Sequence, residues 1–356
     1  MRSPIVLTIA GILVLACLAM DGAPAKKRKE EATQTLEAPP DPPPAVVAET
    51  RRLLFQTSAL SPKGLLSQQI RDALRDLMRQ SGGNQVAQIR VFVSGTGDLR
   101  RVPQLVGETF AEKKHLQLPA VTVIQAGGLP VENAQVVLEI TSVAKRDVNP
   151  LGLLFVSARE HSSEKPLQPL GPLADQSLDD IASVLSGRGE AVRVTCFTTA
   201  LDSAPAITAA MSAKFPGAAL DLVQTQRASS HSSVACEAVA RATVLNPPAS
   251  TGVTYANSDR VVLTGTQTAF GYTVDDARLA YRRFEKLLGG YGASLQSAVA
   301  LHIYPLSASI AAQAARVRKE FVKGPTSAVS EIQFESLPGM DSAFALEAVA
   351  PASTQP

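Results

Sequence analysis

Tryptophan is absent from this chain of 356 residues, and aromatic residues make up only 4% of it. Because hydrophobic residues still reach 45%, any core must be packed mainly from aliphatic side chains. A large excess of positive charge is also missing, since 34 Lys and Arg residues stand against 32 Asp and Glu residues. The basic residues are dispersed and form no basic face, so the sequence implies no nucleic-acid partner.

Cysteine and histidine are scarce, with three and four residues. Neither type has the spacing of a zinc site, so we expect no metal and no cofactor. Cys17 lies near the N-terminus, which leaves Cys196 and Cys236 in predicted strands. A disulfide between them would need an oxidising compartment and neighbouring Cβ atoms. Two separate buried thiols are the favoured alternative.

A hydrophobic run long enough to cross a bilayer is missing as well. The apolar run from Ile5 to Met20 falls short of the roughly 20 residues of a spanning helix and is typical of a signal peptide. We interpret residues 1–25 as a secretory or lipoprotein signal, in which Cys17 is the candidate for lipidation. The sequence thus predicts an exported protein, either periplasmic or tethered to the membrane by its N-terminus alone. The basic cluster Lys26–Lys29 is unusual after an export signal.

Proline is concentrated in residues 26–48, which are polar and then proline-rich. This composition predicts a disordered tether. Beyond it, three stretches share the element order strand, helix, strand, helix, strand, strand. They occupy residues 49–148, 149–246 and 255–351, and a period of roughly 100 residues makes each one a domain rather than a short repeat.

Each stretch closes with two apolar strands, which we expect to pair as a hairpin. In the first stretch these strands are Leu118–Gln125 and Val136–Ala144, separated by a turn rich in Gly and Pro. The last strand of every stretch carries one acid at a corresponding position. These acids are Glu139, Glu237 and Glu347.

Short motifs follow one another in a fixed order along the first and third stretches. The first has the run QIRVFVSGTGD from Gln88 to Asp98, then Leu118-Pro119-Ala120, Leu129-Pro130 and Leu138-Glu139-Ile140. The third has Leu263-Thr264-Gly265-Thr266-Gln267. This order resembles the RidA/YjgF family of enamine and imine deaminases over residues 50–351. The resemblance implies three chorismate-mutase-like α+β domains that form an intramolecular pseudo-trimer, monomeric in solution, with ligand clefts between the domains.

The residues that carry the family's chemistry are replaced. The resemblance implies an Arg that binds the substrate carboxylate, but Val121 and Val329 stand at its positions, and Leu220 is nearest to it in the second stretch. Only the second of the family's two acids on the last strand remains. We therefore favour a non-enzymatic small-molecule-binding or interaction module. A deaminase or other hydrolase with altered clefts and a structural envelope protein are the alternatives.

Seven residues are candidates for lining the clefts, and none is assigned a catalytic role: Glu139, Glu237, Glu347, Thr57, Ser157, Thr264 and Gly265. The acids would either transfer protons at a pKa raised by burial, or hold the strand register through hydrogen bonds. The second role is favoured, because all three stretches keep the acid. The three hydroxyls match the family's cleft-lining position, and they would bind a ligand or cap a strand end.

Overall fold

The computed structural model describes residues 38–95, 97–113, 116–163, 168–323 and 327–353. Cys17, the predicted signal and most of the predicted tether lie outside the described residues. Within those ranges, none of the helices combines the length and apolar character that a membrane span requires.

The described residues form strands and helices of ordinary length. The strands are β1 Ala45–Glu49, β2 Leu53–Thr57, β3 Gln85–Ser94, β4 Ala120–Ala126, β5 Val136–Val143, β6 Leu153–Ser163, β7 Gly189–Thr198, β8 Ala219–Gln224, β9 Ser232–Ala242, β10 Val253–Ala256, β11 Arg260–Thr264, β12 Gln267–Phe270, β13 Ala300–Pro305, β14 Ala328–Glu331 and β15 Ser342–Pro351. The helices are α1 Leu66–Gln80, α2 Arg101–Ala111, α3 Leu170–Leu185, α4 Ala204–Lys214, α5 Val274–Gly289 and α6 Ala308–Phe321.

These strands form three sheets that repeat one strand order. The first sheet contains β2-β5-β3-β4, the second β6-β9-β7-β8 and the third β11-β15-β13-β14. In each sheet the last strand of this order is parallel to its neighbour, whereas the other pairs are antiparallel. The structure therefore confirms the α+β class, and it repeats the element order predicted from the sequence.

The two closing strands of each stretch do not form the predicted hairpin. In the first sheet, β3 lies between β4 and β5 and pairs with both of them. The reason is the connection through α2, because a helical crossover lets β4 pair with β3 in parallel and leaves the other side of β3 for β5. Apolar and β-branched runs bounded by Gly and Pro identified the strands correctly, but they carry no information about which strand lies beside which.

The turn between β4 and β5 contacts the second sheet instead of closing a hairpin. Gly127 N donates to Gln224 O at 2.8 Å, and Gln224 N donates to Gly128 O at 3.0 Å. A Cβ atom on Gly127 would lie 2.5 Å from the backbone carbon of Gln226. Glycine is therefore required here by the close approach of two backbones.

Two helices cover one face of each sheet: α1 and α2 the first, α3 and α4 the second, and α5 and α6 the third. Helical spacing of apolar residues explains this packing. In α1, for example, Ile70, Leu74 and Leu77 are at most 1% exposed and face the first sheet. Helix α5 begins with a capping box, in which Thr273 and Asp276 bond each other's backbone N–H groups.

The opposite faces of the three sheets meet in a layer of aromatic rings. Phe92 of β3, Phe197 of β7 and Tyr304 of β13 surround Phe334, with ring centroids 5.8, 5.7 and 5.9 Å from it. The residues paired with these three on the neighbouring strands are Val137, Ala235 and Ala345. These small apolar residues leave room for the rings.

Linking segments add strands across the predicted domain boundaries. The strand β10 pairs with β6 of the second sheet, although residues 255 and 256 were assigned to the third domain. The tether predicted for residues 26–48 is wrong at its end, because Ala45–Glu49 forms β1 and pairs with β11 of the third sheet. Val46 and Val47 are β-branched, which favours a strand, and they pair with the apolar residues Leu263 and Val262.

Cys196 on β7 and Cys236 on β9 are joined by a disulfide. They lie directly opposite each other on antiparallel strands, and both are fully buried in the core beneath α3 and α4. Their interpretation as separate thiols is therefore wrong. Directly opposed residues of an antiparallel pair have neighbouring Cβ atoms, which a sequence cannot reveal until the register is known.

Candidate functional site

The three repeated acids converge between the sheets. Glu139, Glu237 and Glu347 are 1%, 3% and 3% exposed. Their partners on the neighbouring strand are Arg90, Thr195 and His302, respectively. We call the charged and polar residues that meet here the central cluster: Arg90, Glu139, Arg193, Thr195, Glu237, His302, Tyr304 and Glu347.

Arg90 joins all three sheets. Its Nε donates to Glu139 Oε2 at 2.7 Å within the first sheet, and its Nη2 donates to Glu237 Oε1 of the second sheet at 2.8 Å. Its Nη1 donates to the Tyr304 hydroxyl of the third sheet at 3.3 Å. A planar guanidinium with five donors is suited to bind several acceptors at once, which a lysine could not do in the same geometry.

Most of the other polar groups of the cluster are also engaged, although Glu237 Oε2 and His302 Nδ1 have no hydrogen-bond partner among the described residues. The Thr195 hydroxyl donates to Glu139, and the Tyr304 hydroxyl donates to Glu347 Oε2 at 3.3 Å. His302 lies between two acids, with Nε2 at 3.2 Å from Glu237 Oε1 and Nδ1 at 3.5 Å from Glu347 Oε1. Glu139 and Glu237 therefore contact side chains of other sheets, Glu347 contacts side chains of its own sheet, and none of the three lines the larger cavities described below.

Opposite charges keep Glu139 and Glu237 ionised. Burial by itself would raise the pKa of Glu139, but Arg90 and Arg193 outweigh it and the pKa is lowered. Burial likewise opposes ionisation of Glu237, whose pKa is nevertheless held well below its usual range by His302 and Arg90. Neither acid is suited to donate a proton at neutral pH.

The interface between the third and first sheets is closed. Thr266 N donates to Val121 O at 3.1 Å, and Thr266 Oγ1 accepts a bond from Val123 N at 3.2 Å. A Cβ atom on Gly265 would lie only 2.5 Å from Val121 O. The Thr264 hydroxyl accepts from Ala348 N at 2.9 Å within its own sheet. Thr264 and Gly265 thus hold backbones together here and line no cleft.

The interface between the second and third sheets is filled at the position of Ser157. Ser157 N donates to Gly252 O at 2.8 Å, and Ala158 N donates to the Ser330 hydroxyl at 3.0 Å. A void of about 10 Å³ remains behind Ser330. Further along the same interface is a polar groove of about 250 Å³, which is lined in part by Glu160 and Glu331.

The interface between the first and second sheets contains a cavity of about 360 Å³, which we call the open cleft. The first sheet and its loops contribute Thr57, Ser58, Leu60, Pro130, Val131 and Val137, and the second sheet with α4 contributes Ala204, Pro205, Thr208, Met211, Leu220, Asp221 and Leu222. Of the seven candidate residues, Thr57 alone is in this lining. The backbone bonds to Gln224 lie two residues beyond Leu222, so the cleft remains open beside β8.

Asp221 is the sole ionisable residue in the lining of the open cleft. Its side chain is 5% exposed, and Oδ2 has no hydrogen-bond partner among the described residues. The Thr57 hydroxyl is equally buried and without a partner in the described part of the chain. Burial and the negative charge of Glu139 raise the pKa of Asp221 well above its usual value. Asp221 thus keeps its proton at a pH where an exposed aspartate would lose it.

Strand alternation places Asp221 where it is. Leu220 and Leu222 pack toward the helices, so Asp221 between them faces the other side of β8, level with Thr195. The sequence analysis missed both Asp221 and Arg90. A lone charged residue inside an apolar strand was visible in each case, as LDLV and IRVF. That pattern could have singled out both residues, although it could not have distinguished the paired one from the unpaired one.

Neither the protein-family models nor the curated protein sequences give a match to this chain. Several solved structures are similar to parts of it. A member of the YjgF/YER057c/UK114 family from Mycobacterium tuberculosis is 26% identical, with 26% of this chain and 79% of that chain covered and a TM-score of 0.24. RidA from the Antarctic bacterium Psychrobacter sp. is 17% identical, with coverages of 26% and 80% and a TM-score of 0.24. A chorismatase is 12% identical, with coverages of 87% and 78% and a TM-score of 0.43.

Proposed function

We propose that this chain is a single-chain pseudo-trimer of RidA-like units that binds a small molecule in the open cleft. The three units correspond to the three sheets with their helices, and we expect the protein to be monomeric in solution. The observation that carries the proposal is the pair of unpartnered polar groups, on Asp221 and Thr57, in a cavity of about 360 Å³.

The cost of leaving such groups unpaired supports this function. A buried polar group without a partner costs about 1–3 kcal/mol, so most buried groups in proteins are paired. A bound ligand would satisfy both groups at once. Apolar side chains around them, such as Met211 and Leu220, would add hydrophobic contact, and a few polar groups in an apolar pocket are typical of ligand sites.

The family's deaminase reaction has little support here. Val121 is bonded through its backbone to the third sheet, and Leu220 brings no positive charge to the open cleft. Hydrolysis remains the second candidate function, because an acid whose pKa is raised by burial is better suited than an exposed aspartate to act as a general acid. That role would also fall to Asp221 and would require the same cleft.

Blocking the open cleft tests whether it binds ligands. Thr208 of α4 lines the cleft, and its neighbour Ala209 is exposed and is not part of the lining. In thermal melting with a panel of small molecules, a ligand at a hundred times its Kd should stabilise the native state by about 2.7 kcal/mol. Thr208→Trp should abolish this stabilisation, while Ala209→Trp should retain it. A panel without effect on the native protein, or an equal effect in both variants, would contradict the proposal.

We also propose that the protein is exported and functions in the cell envelope. The signal-like residues 1–25 support this location, and so does the disulfide between Cys196 and Cys236, since disulfides persist mainly in oxidising compartments. Cell fractionation and thiol counting on the unreduced protein test the proposal. We expect the protein in the envelope fraction without a reactive thiol at either position. Cytoplasmic protein with both thiols free would contradict it.

A further inference from the structure

We propose that the open cleft selects amines: its ligand has an apolar body and a protonated amino group that pairs with the Asp221 carboxylate. This inference rests on the proposed function and names the ligand class of the same cleft. The Arg that the resemblance implies would select a negatively charged ligand, whereas Asp221 would select a positively charged one. The inference follows from the charges that surround Asp221.

The lining of the open cleft offers no positive charge. Its residues on β2, β5 and α4 are uncharged, and Asp221 on β8 is the one acid among them. Lys214 at the end of α4 is paired with Asp179. A ligand carboxylate would therefore find no cation here and would meet an acid instead.

The charged groups behind Asp221 are already paired with one another. Glu139 on β5 adds negative charge near Asp221, whereas Arg90 on β3 and Arg193 on β7 oppose it. Both arginines contact Glu139, Arg90 at 2.7 Å and Arg193 at 3.7 Å. Burial, and after it the charge of Glu139, outweigh these cations and raise the pKa of Asp221, and no basic residue is in the lining of the open cleft to pair with it. A bound cation would supply that partner.

The acceptors match an ammonium group. Ionised Asp221 Oδ2 and the Thr57 hydroxyl oxygen can each accept one of the three N–H donors of a primary ammonium. On binding, Asp221 gives its proton to solvent and the ligand keeps its own. One proton is therefore released for each amine bound, and the cleft passes from a neutral acid to a neutral ion pair. Leu60, Met211 and Leu222 are in position to contact an alkyl or aryl body.

Three probes of equal chain length separate the head group from the body: hexylamine, hexanol and hexanoate. Isothermal titration at pH 7 should show hexylamine binding at least about tenfold more tightly than hexanol, since one charge-assisted hydrogen bond is worth about 1.5–3 kcal/mol. Hexanoate should not bind measurably. Repeating the titration in buffers of different ionisation enthalpy should show up to one proton released per hexylamine, and affinity should rise with pH until Asp221 is ionised in the free protein.

Substitution of the acid should remove the selectivity and retain the binding. Asp221→Asn should abolish proton release and reduce hexylamine affinity at least about tenfold, while hexanol binding persists. Thr122 is the matched control, because it pairs with Arg90 in the first sheet as Asp221 pairs with Thr195 in the second, and it lies outside the open cleft. Thr122→Val should leave hexylamine binding and proton release unchanged.

The outcomes distinguish this inference from the proposed function. Equal binding of hexanol and hexylamine without proton release overturns the amine inference and leaves ligand binding in place. Tighter binding of hexanoate than of hexylamine also overturns the amine inference and leaves ligand binding in place. If none of the three probes binds and the wider panel is also without effect, both proposals fail. The proton count on the native protein needs no variant, so it decides the question even if a substitution prevents folding.

Discussion

The closed interface between the third and first sheets and the open cleft between the first and second sheets are built from corresponding strands. At the closed interface, Gly265 has no side chain, so the backbone can approach Val121 and Thr266 can bond it. At the open cleft, side chains replace backbone contact, and the sheets are joined further in by Arg90 and Glu237. The same arrangement of strands therefore produces a sealed contact or a pocket, depending on one or two residues at the strand edge.

Buried acids also differ between the cluster and the cleft. Glu237 has cationic partners, and its pKa is lowered, whereas Asp221 lacks a partner for Oδ2 and its pKa is raised. Burial is nearly equal in the two cases, so burial alone does not decide the protonation state. Glu237 and Asp221 each have one carboxylate oxygen without a hydrogen bond among the described residues, but only Glu237 forms an ion pair with an arginine there. The comparison shows that a buried acid paired with a cation serves the fold, and that one without such a cation beside a cavity marks the candidate site.

The largest effect is expected from removing the cation that joins the first and second sheets. Arg90→Met leaves Glu139 and Glu237 buried without their shared partner, so the free energy of unfolding should fall by about 3–5 kcal/mol. Chemical denaturation at pH 7 measures this loss in the free energy of unfolding. Arg100→Met is the control, because Arg100 is exposed and pairs with Asp98 two residues away, and no measurable change is expected. A loss below about 1 kcal/mol for Arg90→Met would contradict a joining role.

The pH dependence of unfolding gives a second test of Arg90. Because the pKa values of Glu139 and Glu237 are lowered in the folded state, their pairing stabilises the protein fully above the unfolded-state value of about 4.3. This stabilisation is lost as pH falls through the lower folded-state pKa values. We expect Arg90→Met to flatten the acid part of the stability curve. An unchanged acid slope would mean that other groups hold these acids ionised.

A smaller effect is expected at the closed interface. In Gly265→Ala the new Cβ would lie 2.5 Å from Val121 O, a backbone atom that cannot rotate away. The free energy of unfolding should fall by about 1–3 kcal/mol, as for other overpacked sites. Gly171→Ala in α3 is the control, since a Cβ there meets nothing within 4 Å, and it should be neutral or slightly stabilising. Equal results for the two variants would show that the interface is not closed by backbone contact.

The smallest effect is expected from a substitution at the open cleft, which should raise the free energy of unfolding instead of lowering it. The folded-state pKa of Asp221 is raised, so the native protein binds more protons than the unfolded chain as pH rises above about 3.9, and its stability declines there. Asp221→Asn removes this decline. The variant should match the native protein near pH 3 and exceed it by about 1 kcal/mol at pH 7. A variant that is less stable than the native protein at pH 7 would show that the carboxyl is paired after all.

Much of the local structure follows from sequence patterns. The apolar spacing in α1 and the glycines after it predict that helix, and runs of apolar and β-branched residues identify β3, β4 and β5. The wrong hairpins have a single cause, because pairing between strands depends on the long-range path of the chain through α2. The disulfide between Cys196 and Cys236 was left open for the same reason: neither cysteine indicates which residue will face it.

Some features of the candidate site were also visible in the sequence, and others depend on the fold. The repeated acids Glu139, Glu237 and Glu347 were evident from the sequence, but their partners lie on other strands, and for Glu139 and Glu237 partly on other sheets, so they could not be read from it. Asp221 was overlooked because an acid in an apolar strand is as consistent with a paired core residue as with a cleft. By itself the sequence determined the α+β elements, their threefold order and the apolar residues Val121 and Val329 at the positions where the resemblance implies an Arg. Only the tertiary structure decided which interface stays open and which buried acid lacks a cationic partner, because both depend on contacts between residues that are far apart in the sequence, such as Thr266 with Val121 and Arg90 with Glu237.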